Sequence, residues 1–150
     1  MSTIEMSNKL VPSLGSLIGS TRRLILRELN TAFIEHQIPL SIEQYIFIYT
    51  LHKVSSEVTQ QDMANLMCKD KSSILRTIDV LEKDGLVTRD ADSADRRKNT
   101  LHLTPKCKSL LHQVSEIEAP VIERLTVGIS CQDYEAMVRA LTKIQENANN

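Results

Sequence analysis

Apolar residues recur along most of this 150-residue chain at the three- and four-residue steps that place them on one face of an α-helix. The pattern predicts a long first helix over about residues 9–36, ending before Pro39, and a second over about 42–54 that is apolar on nearly every side. Further helices are predicted over about 60–67, 71–84 and 132–147, and from 105 onward with a kink at Pro120. The chain is therefore predicted to be mainly α-helical.

Capping residues indicate where several of these helices begin. Ser41 and Gln44 have the spacing of a capping box, in which each side chain satisfies a backbone N–H at the position of the other. Comparable start signals are Thr59 with Asp62, Asp70 before the fourth helix, Thr104 before Pro105, and Ser130 with Asp133.

The pattern changes after Gly85, which is expected to end the fourth helix in a left-handed conformation. Residues 86–89 favour a short strand, the polar segment 90–98 a turn, and residues 100–103 a returning strand. A short helix, a turn, a second helix and a hairpin form the layout of a winged helix-turn-helix, predicted here over about 41–104.

The fourth helix separates an apolar face from a polar one. Its predicted buried residues are Ile74, Ile78 and Leu81, and its predicted exposed residues are Ser72, Arg76, Asp79 and Lys83. Arginine can bind guanine edges and serine can reach phosphates, so the exposed face suits the major groove of DNA. Asp79 fits there only if it points away from the groove or pairs with Arg76 or Lys83. An ordinary solvated helix face is the alternative interpretation.

Charge supports nucleic-acid binding only locally. The chain has 18 basic and 19 acidic residues, a net charge of −1, which gives no overall attraction to DNA. Residues 59–108, however, carry ten basic against eight acidic residues. The segment 96–108 has no acidic residue and contains Arg96, Arg97, Lys98, Lys106 and Lys108. A cationic hairpin of this kind suits contacts with phosphates and with the minor groove.

Four sequence blocks carry a resemblance to a known family. They are TQQDMA from Thr59, DKSSILR from Asp70, LEKDGLVTR from Leu81, and DRR from Asp95 followed by LHLT from Leu101. In order and spacing they resemble the MarR family of bacterial transcriptional regulators, whose long first helix and two C-terminal helices correspond to the rest of the chain. Cys107 departs from the family pattern, which often has glycine shortly after its Leu-Thr.

The resemblance implies a homodimer that binds double-stranded DNA at a pseudo-palindromic operator, most often as a repressor. Helices over about 9–36 and 105–147 would interlock with those of the partner subunit. The positions of the family's DNA contacts are Lys71, Ser72, Ser73 and Arg76 on the recognition helix and Arg96, Arg97 and Lys98 on the wing. Asp95 is placed to orient Arg97 within the turn. The alternative is a solvated Asp95–Arg97 pair that contributes little to stability.

The resemblance also implies a sensor, either a cleft for a small aromatic or carboxylate-bearing effector or an oxidisable thiol. Cys68 is the candidate redox thiol, because Lys69 and Lys71 would favour its thiolate, with a small apolar turn residue as the alternative. The three cysteines are odd in number and lack a Cys-x-x-Cys motif, so neither a disulfide framework nor a metal site is expected, and no cofactor is implied. No signal peptide or membrane span is predicted, so a reducing cytoplasm is the expected location.

Two other classes of function stay open at this point. A winged-helix protein-interaction module without specific DNA binding would have no use for the basic segment 96–108. An enzyme would need a nucleophile beside a base, and the four histidines fall in no recognisable catalytic motif, so enzymatic activity is not expected. Separately, Gly15 and Gly19 would permit close approach of another helix, which we expect at the dimer interface.

Overall fold

The computed structural model describes residues 13–91 and 99–148 of the chain. In these ranges the elements are α1 (Leu14–Glu35), α2 (Ile42–Lys53), α3 (Gln60–Leu66), α4 (Lys71–Lys83), β1 (Val87–Ala91), β2 (Asn99–Leu103), α5 (Pro105–Leu125) and α6 (Cys131–Ala148). The predicted fold class, mainly α-helical with a small hairpin wing, is confirmed. Residues 9–12 of the predicted first helix lie outside the described residues.

The predicted capping residues begin the helices as expected. The Ser41 N–H donates to the Gln44 side chain at 2.8 Å, and the Gln44 N–H donates to the Ser41 hydroxyl at 3.2 Å, which completes the capping box of α2. The carboxylate of Asp62 likewise accepts from the N–H of Thr59 at 2.8 Å. These bonds satisfy backbone donors that have no partner within their own helix.

The hairpin is an antiparallel pair in which Val87 lies opposite Leu103 and Ala91 opposite Asn99. The segment that leads into α3 pairs with β2 on its free side. Thr59 forms a β-bridge with Thr100, and the N–H of Leu101 donates to the carbonyl of Val58 at 2.9 Å. The start of α3 is therefore attached directly to the stem of the wing.

One hydrophobic core joins α1, α2, α3, α4, the hairpin and α5. Phe33, Phe47, Ile48 and Met63 are at most 1% exposed and lie at its centre. Helix α5 packs along α1 and continues through Pro120 without ending there. No residue of α6 is buried. None of the helices described here is both long and apolar enough to cross a lipid bilayer.

Candidate nucleic-acid interface

The N-terminal end of α4 presents polar side chains to solvent. The carboxylate of Asp70 accepts from the N–H of Ser73 at 2.9 Å and thereby caps the helix. Lys71, Ser72 and Arg76 are exposed, whereas Ser73 is only half-exposed. On the opposite face Ile74, Ile78 and Leu81 are at most 1% exposed, as the helical spacing predicted. The core therefore holds α4 with its polar face outward.

The turn between α3 and α4 contains Cys68 in a left-handed conformation, with φ of 50°. The N–H of Cys68 donates to the carbonyl of Asn65 at 3.2 Å, and the N–H of Lys69 donates to the carbonyl of Ala64 at 3.0 Å. This is a Schellman motif, which ends α3, and glycine is the residue that usually occupies its left-handed position. The thiol of Cys68 is exposed. Sequence reasoning missed the backbone role of Cys68 because no glycine or asparagine marks the turn.

The C-terminal end of α4 is closed by the same motif, with Gly85 at φ of 72° as predicted. The N–H of Leu86 donates to the carbonyl of Leu81 at 2.8 Å, and the N–H of Gly85 donates to the carbonyl of Glu82 at 3.0 Å. The ammonium group of Lys106 donates to the carbonyl of Asp84 at 2.7 Å. Lys106 therefore helps to cap α4 and keeps its positive charge.

Arg89 on β1 joins the hairpin to the outer face of α4. Its guanidinium pairs with the carboxylate of Asp79, and its Nε donates to the carboxylate of Glu82 at 3.1 Å. Of the two alternatives given for Asp79, pairing with Arg76 or Lys83 is not seen among the described residues, because its partner is Arg89. Asp79 and Glu82 are three residues apart and share a helix face, so one arginine on the adjacent strand reaches both. Among the described residues Arg76 has no ion-pair partner.

The tip of the wing lies outside the described residues. Asp95, Arg96, Arg97 and Lys98 all fall in the segment 92–98, so their assigned roles stay predictions. The described stem carries the carboxylate of Asp90 at 3.3 Å from Nε2 of His102.

Two clefts flank α2. The α1–α2 cleft, of about 460 Å³, lies between α1, α2 and the turn that leads to α4, and its lining includes Arg22 and Lys69. The α2–α5 cleft, of about 370 Å³, has Tyr45 and Glu118 among its lining residues. The hydroxyl of Tyr45 donates to the carboxylate of Glu118 at 2.9 Å, and burial together with this carboxylate raises the pKa of Tyr45 well above its usual range. Within residues 13–91 and 99–148, no cluster of three or more potential metal ligands is present.

Helices α1 and α6 expose apolar side chains along a shared groove of about 360 Å³. Leu17 of α1 is 54% exposed and Met137 of α6 is 43% exposed, although both occupy the apolar side of an amphipathic helix. Exposed apolar side chains grouped on one face of a helix are typical of a site where another protein surface packs.

Comparisons with known proteins agree on one family. Residues 40–98 match the family model described as MarR family. A MarR family transcriptional regulator from Rhodococcus sp. RHA1 has the same fold, with a TM-score of 0.79 and 25% identity over 92% of this chain and 96% of its own. CouR from Rhodococcus jostii RHA1, bound to p-coumaroyl-CoA, gives a TM-score of 0.73 at 25% identity over 92% and 95% of the two chains.

The transcriptional repressor CouR bound to a 23-mer DNA duplex gives a TM-score of 0.76 at 21% identity, covering 96% of this chain and 99% of that one. The common fold thus extends beyond the winged segment to the first and last helices.

Proposed function

Because residues 40–98 match the MarR family model and solved MarR family transcriptional regulators share the fold, we propose that this chain is a member of that family and binds a specific double-stranded DNA operator as a homodimer. In this proposal the bound dimer represses transcription, and a small aromatic or carboxylate-bearing effector releases it. The chain acts as a regulator and not as an enzyme, and it works in the cytoplasm, where bacterial operators lie.

The observation that carries this proposal is the exposed N-terminal end of α4. Lys71, Ser72 and Arg76 face solvent on a helix that is capped at both ends. Farther along that helix, Arg89 pairs with the carboxylates of Asp79 and Glu82 and offsets part of their charge. A rigid helix whose exposed arginine has no ion-pair partner among the described residues can enter the major groove and bind guanine. Ser73 contributes a hydroxyl at the rim of the same surface.

The wing completes the interface in this proposal. Arg97 enters the minor groove, Arg96 and Lys98 contact phosphates, and Asp95 orients Arg97. Residues 41–104 form the DNA-binding unit. The two strands that flank this segment pair from Val87 opposite Leu103 to Ala91 opposite Asn99.

Dimerisation follows from the exposed apolar faces of α1 and α6. Helices within residues 9–36 and 105–147 would pack against those of a second subunit and bury side chains such as Leu17 and Met137, which face solvent in the isolated chain. A symmetric dimer presents two α4 helices to the two halves of a pseudo-palindromic site. Gly15 and Gly19 permit close helix approach in this interface.

The decisive experiment selects genomic fragments that the purified protein binds and then measures affinity for the selected sequence. Arg76→Ala is expected to reduce that affinity by about 1–3 kcal/mol. Arg139→Ala on α6 removes an exposed arginine that is far from α4 in sequence, and it is the control for loss of one positive charge once sedimentation equilibrium shows that it is still a dimer. The affinity is also expected to fall steeply with added salt. Equal affinities of Arg76→Ala and Arg139→Ala for the selected DNA would contradict the assignment of the N-terminal end of α4 as the DNA-binding surface.

The protein-interaction module is the competing function, and the same selection separates the two. An interaction module would enrich no sequence, and its weak binding to duplex DNA would not depend on Arg76.

The dimer is tested separately by sedimentation equilibrium. Met137→Glu places a charge on the apolar face of α6 and is expected to shift the protein toward monomer. Gln145→Glu adds the same charge at an exposed polar position of α6 and is expected to leave the dimer intact. Replacing Gly15 and Gly19 by leucine should also weaken the dimer. An unchanged dimer mass would exclude close packing of a partner helix against these two glycines.

A further inference from the structure

A side-chain hydrogen bond crosses from the proposed DNA-binding unit to α5. The hydroxyl of Tyr45, near the start of α2, donates to the carboxylate of Glu118 at 2.9 Å. Tyr45 is 6% exposed, and its ring packs edge-on against Phe33 of α1 with 5.4 Å between the ring centroids. Tyr45 of α2 therefore contacts both α1 and α5, the helices of the proposed dimerisation region.

This hydrogen bond lies far along α5 from the point where the DNA-binding unit joins that helix. The strand β2 leads into α5 at Thr104, and Thr104 and Glu118 are 14 positions apart in the sequence. At a rise of about 1.5 Å per residue, the two attachments are about 20 Å apart along the helix. A second attachment so far from the first limits rotation of the unit about the start of α5.

The hydroxyl of Tyr45 makes this attachment specific for one arrangement of the helices. A phenylalanine would fill the same space, but a buried hydroxyl is unfavourable unless it has a partner. Its partner here is a carboxylate, and hydrogen bonds to ionised acceptors are among the stronger ones in proteins. An arrangement that separates the hydroxyl from Glu118 loses this directional bond, whereas apolar contacts tolerate small displacements.

We propose that Tyr45 and Glu118 are positioning residues that set the separation of the two α4 helices in the dimer, and with it the half-site spacing that the protein accepts. This inference rests on the proposed function, because it requires a dimer that reads two half-sites. Neighbouring base pairs along DNA are about 3.4 Å apart, so a small rotation of each unit moves α4 out of register with its half-site. Neither positioning residue contacts DNA.

The first test measures how strongly the protein prefers one half-site spacing. Affinities are compared for the selected operator and for two versions with one base pair inserted or deleted between the half-sites. Tyr45→Phe removes the hydroxyl and retains the ring. It should reduce the ratio of affinities between the selected and the altered spacings by about tenfold. A parent protein that does not discriminate between spacings, or a Tyr45→Phe variant with the ratio of the parent, would overturn the proposal.

Tyr49→Phe is the matched control for this test. Tyr49 lies one turn farther along α2, and its hydroxyl has no hydrogen-bond partner within residues 13–91 and 99–148. Its loss should leave the ratio unchanged, so equal effects of Tyr45→Phe and Tyr49→Phe would refute the positioning role. Because the ratio compares two DNA molecules bound by the same protein, a variant that merely lowers stability does not change it.

The acceptor is tested in the same way. Glu118→Gln keeps an oxygen that can accept from Tyr45 and should retain most of the spacing preference. Glu118→Leu removes the acceptor and should lose the preference as Tyr45→Phe does. Adding Tyr45→Phe to Glu118→Leu should have no further effect, since the two side chains act through one bond. Additive effects of the two changes would contradict a shared role.

A measurement without DNA separates this proposal from the proposed function. The exposed Cys68 and Cys131 are replaced by serine, and a nitroxide label is attached at Lys83→Cys, an exposed position of α4. Cys107 is buried and should not react with the label. Pulsed electron paramagnetic resonance then gives the distance between the two labels of the dimer.

The distance distribution should be narrow for this labelled background and for Tyr49→Phe, and broader or displaced for Tyr45→Phe. Identical distributions for all three would overturn the positioning role, even if the protein binds its operator as proposed. A change confined to Tyr45→Phe, in a protein that enriches no DNA sequence, would refute the proposed function while supporting control of the α4 separation by Tyr45. A monomeric protein would overturn both proposals.

Discussion

The hydroxyl of Thr104 donates to the carbonyl of Gly85 at 2.8 Å and accepts from the N–H of Cys107 at 3.1 Å. The N–H of Thr104 also donates to the carbonyl of Leu86 at 3.1 Å. A single residue thus begins α5 and holds the segment that follows α4. This contact joins the end of the proposed recognition helix to the first turn of α5.

Thr104→Val should test the contact, because valine keeps the shape of the side chain and removes its hydrogen bonds. We expect the free energy of unfolding to fall by about 1–3 kcal/mol, from the loss of a helix cap and of a donor to a turn carbonyl. Urea denaturation measures this change. Thr104→Ser retains the hydroxyl and should lose much less stability, so equal losses in the two variants would argue against the hydrogen bonds.

Arg89→Met should loosen the connection between the hairpin and α4. The side chain of Arg89 is only 20% exposed, and its removal leaves Asp79 and Glu82 unneutralised one turn apart. We expect the free energy of unfolding to fall by about 1 kcal/mol. In a background that carries Asp79→Asn and Glu82→Gln, the same change should have little effect. An equal loss in both backgrounds would show that Arg89 acts through packing and not through charge.

Cys68→Gly should stabilise the protein despite glycine's usual penalty. Cys68 has φ of 50°, where a Cβ is unfavourable, so glycine relieves strain of about 1 kcal/mol. Gly85→Ala should have the opposite effect, because Gly85 has φ of 72° and no atom lies within 4 Å of the added Cβ, so that only backbone strain changes. Thermal denaturation compares the two variants. A lower melting temperature for Cys68→Gly would contradict the strained turn.

Glu28 should give a pH-dependent contribution to stability. Hydrogen bonds from Arg124 and then Arg27 lower its pKa below the ordinary value of 4.5. A lowered folded-state pKa means that the ion pair stabilises the fold above about pH 4.5 and that this contribution disappears as the pH falls through the folded-state value. The difference in unfolding free energy between the parent and Glu28→Gln should therefore be present at neutral pH and vanish in acid.

Urea titrations at a series of pH values test this prediction. Glu135→Gln on α6 is the control, since Glu135 pairs with Arg139 at 3.6 Å while both side chains are 70% exposed. A difference between the parent and Glu28→Gln that does not change with pH would exclude the ion pair as its cause.

The sequence predicted most of the fold because its helix starts are marked by local chemistry. Ser41, Thr59, Asp70 and Thr104 all cap the helices that they were expected to begin, and Gly85 ends α4 as expected. These contacts involve residues a few positions apart, so the pattern of residue types is sufficient to identify them.

Contacts between elements were harder to predict. Arg89 reaches Asp79 across ten positions, and Lys106 reaches the carbonyl of Asp84 across 22. Helical spacing placed Asp79 on the correct face but could not show which strand would lie beside it. The left-handed conformation of Cys68 was missed because cysteine does not favour it, so the residue type does not mark the turn.

Helix α6 has 18 residues and buries none of them within its own chain. A helix that does not pack has little stability in water, because apolar contacts do not offset the entropy lost when its backbone becomes ordered. If a second subunit covers it, folding of α6 and assembly become a single event. The fraction of molecules with an intact C-terminal helix would then rise with protein concentration, and dilution alone would melt α6 before the rest of the fold.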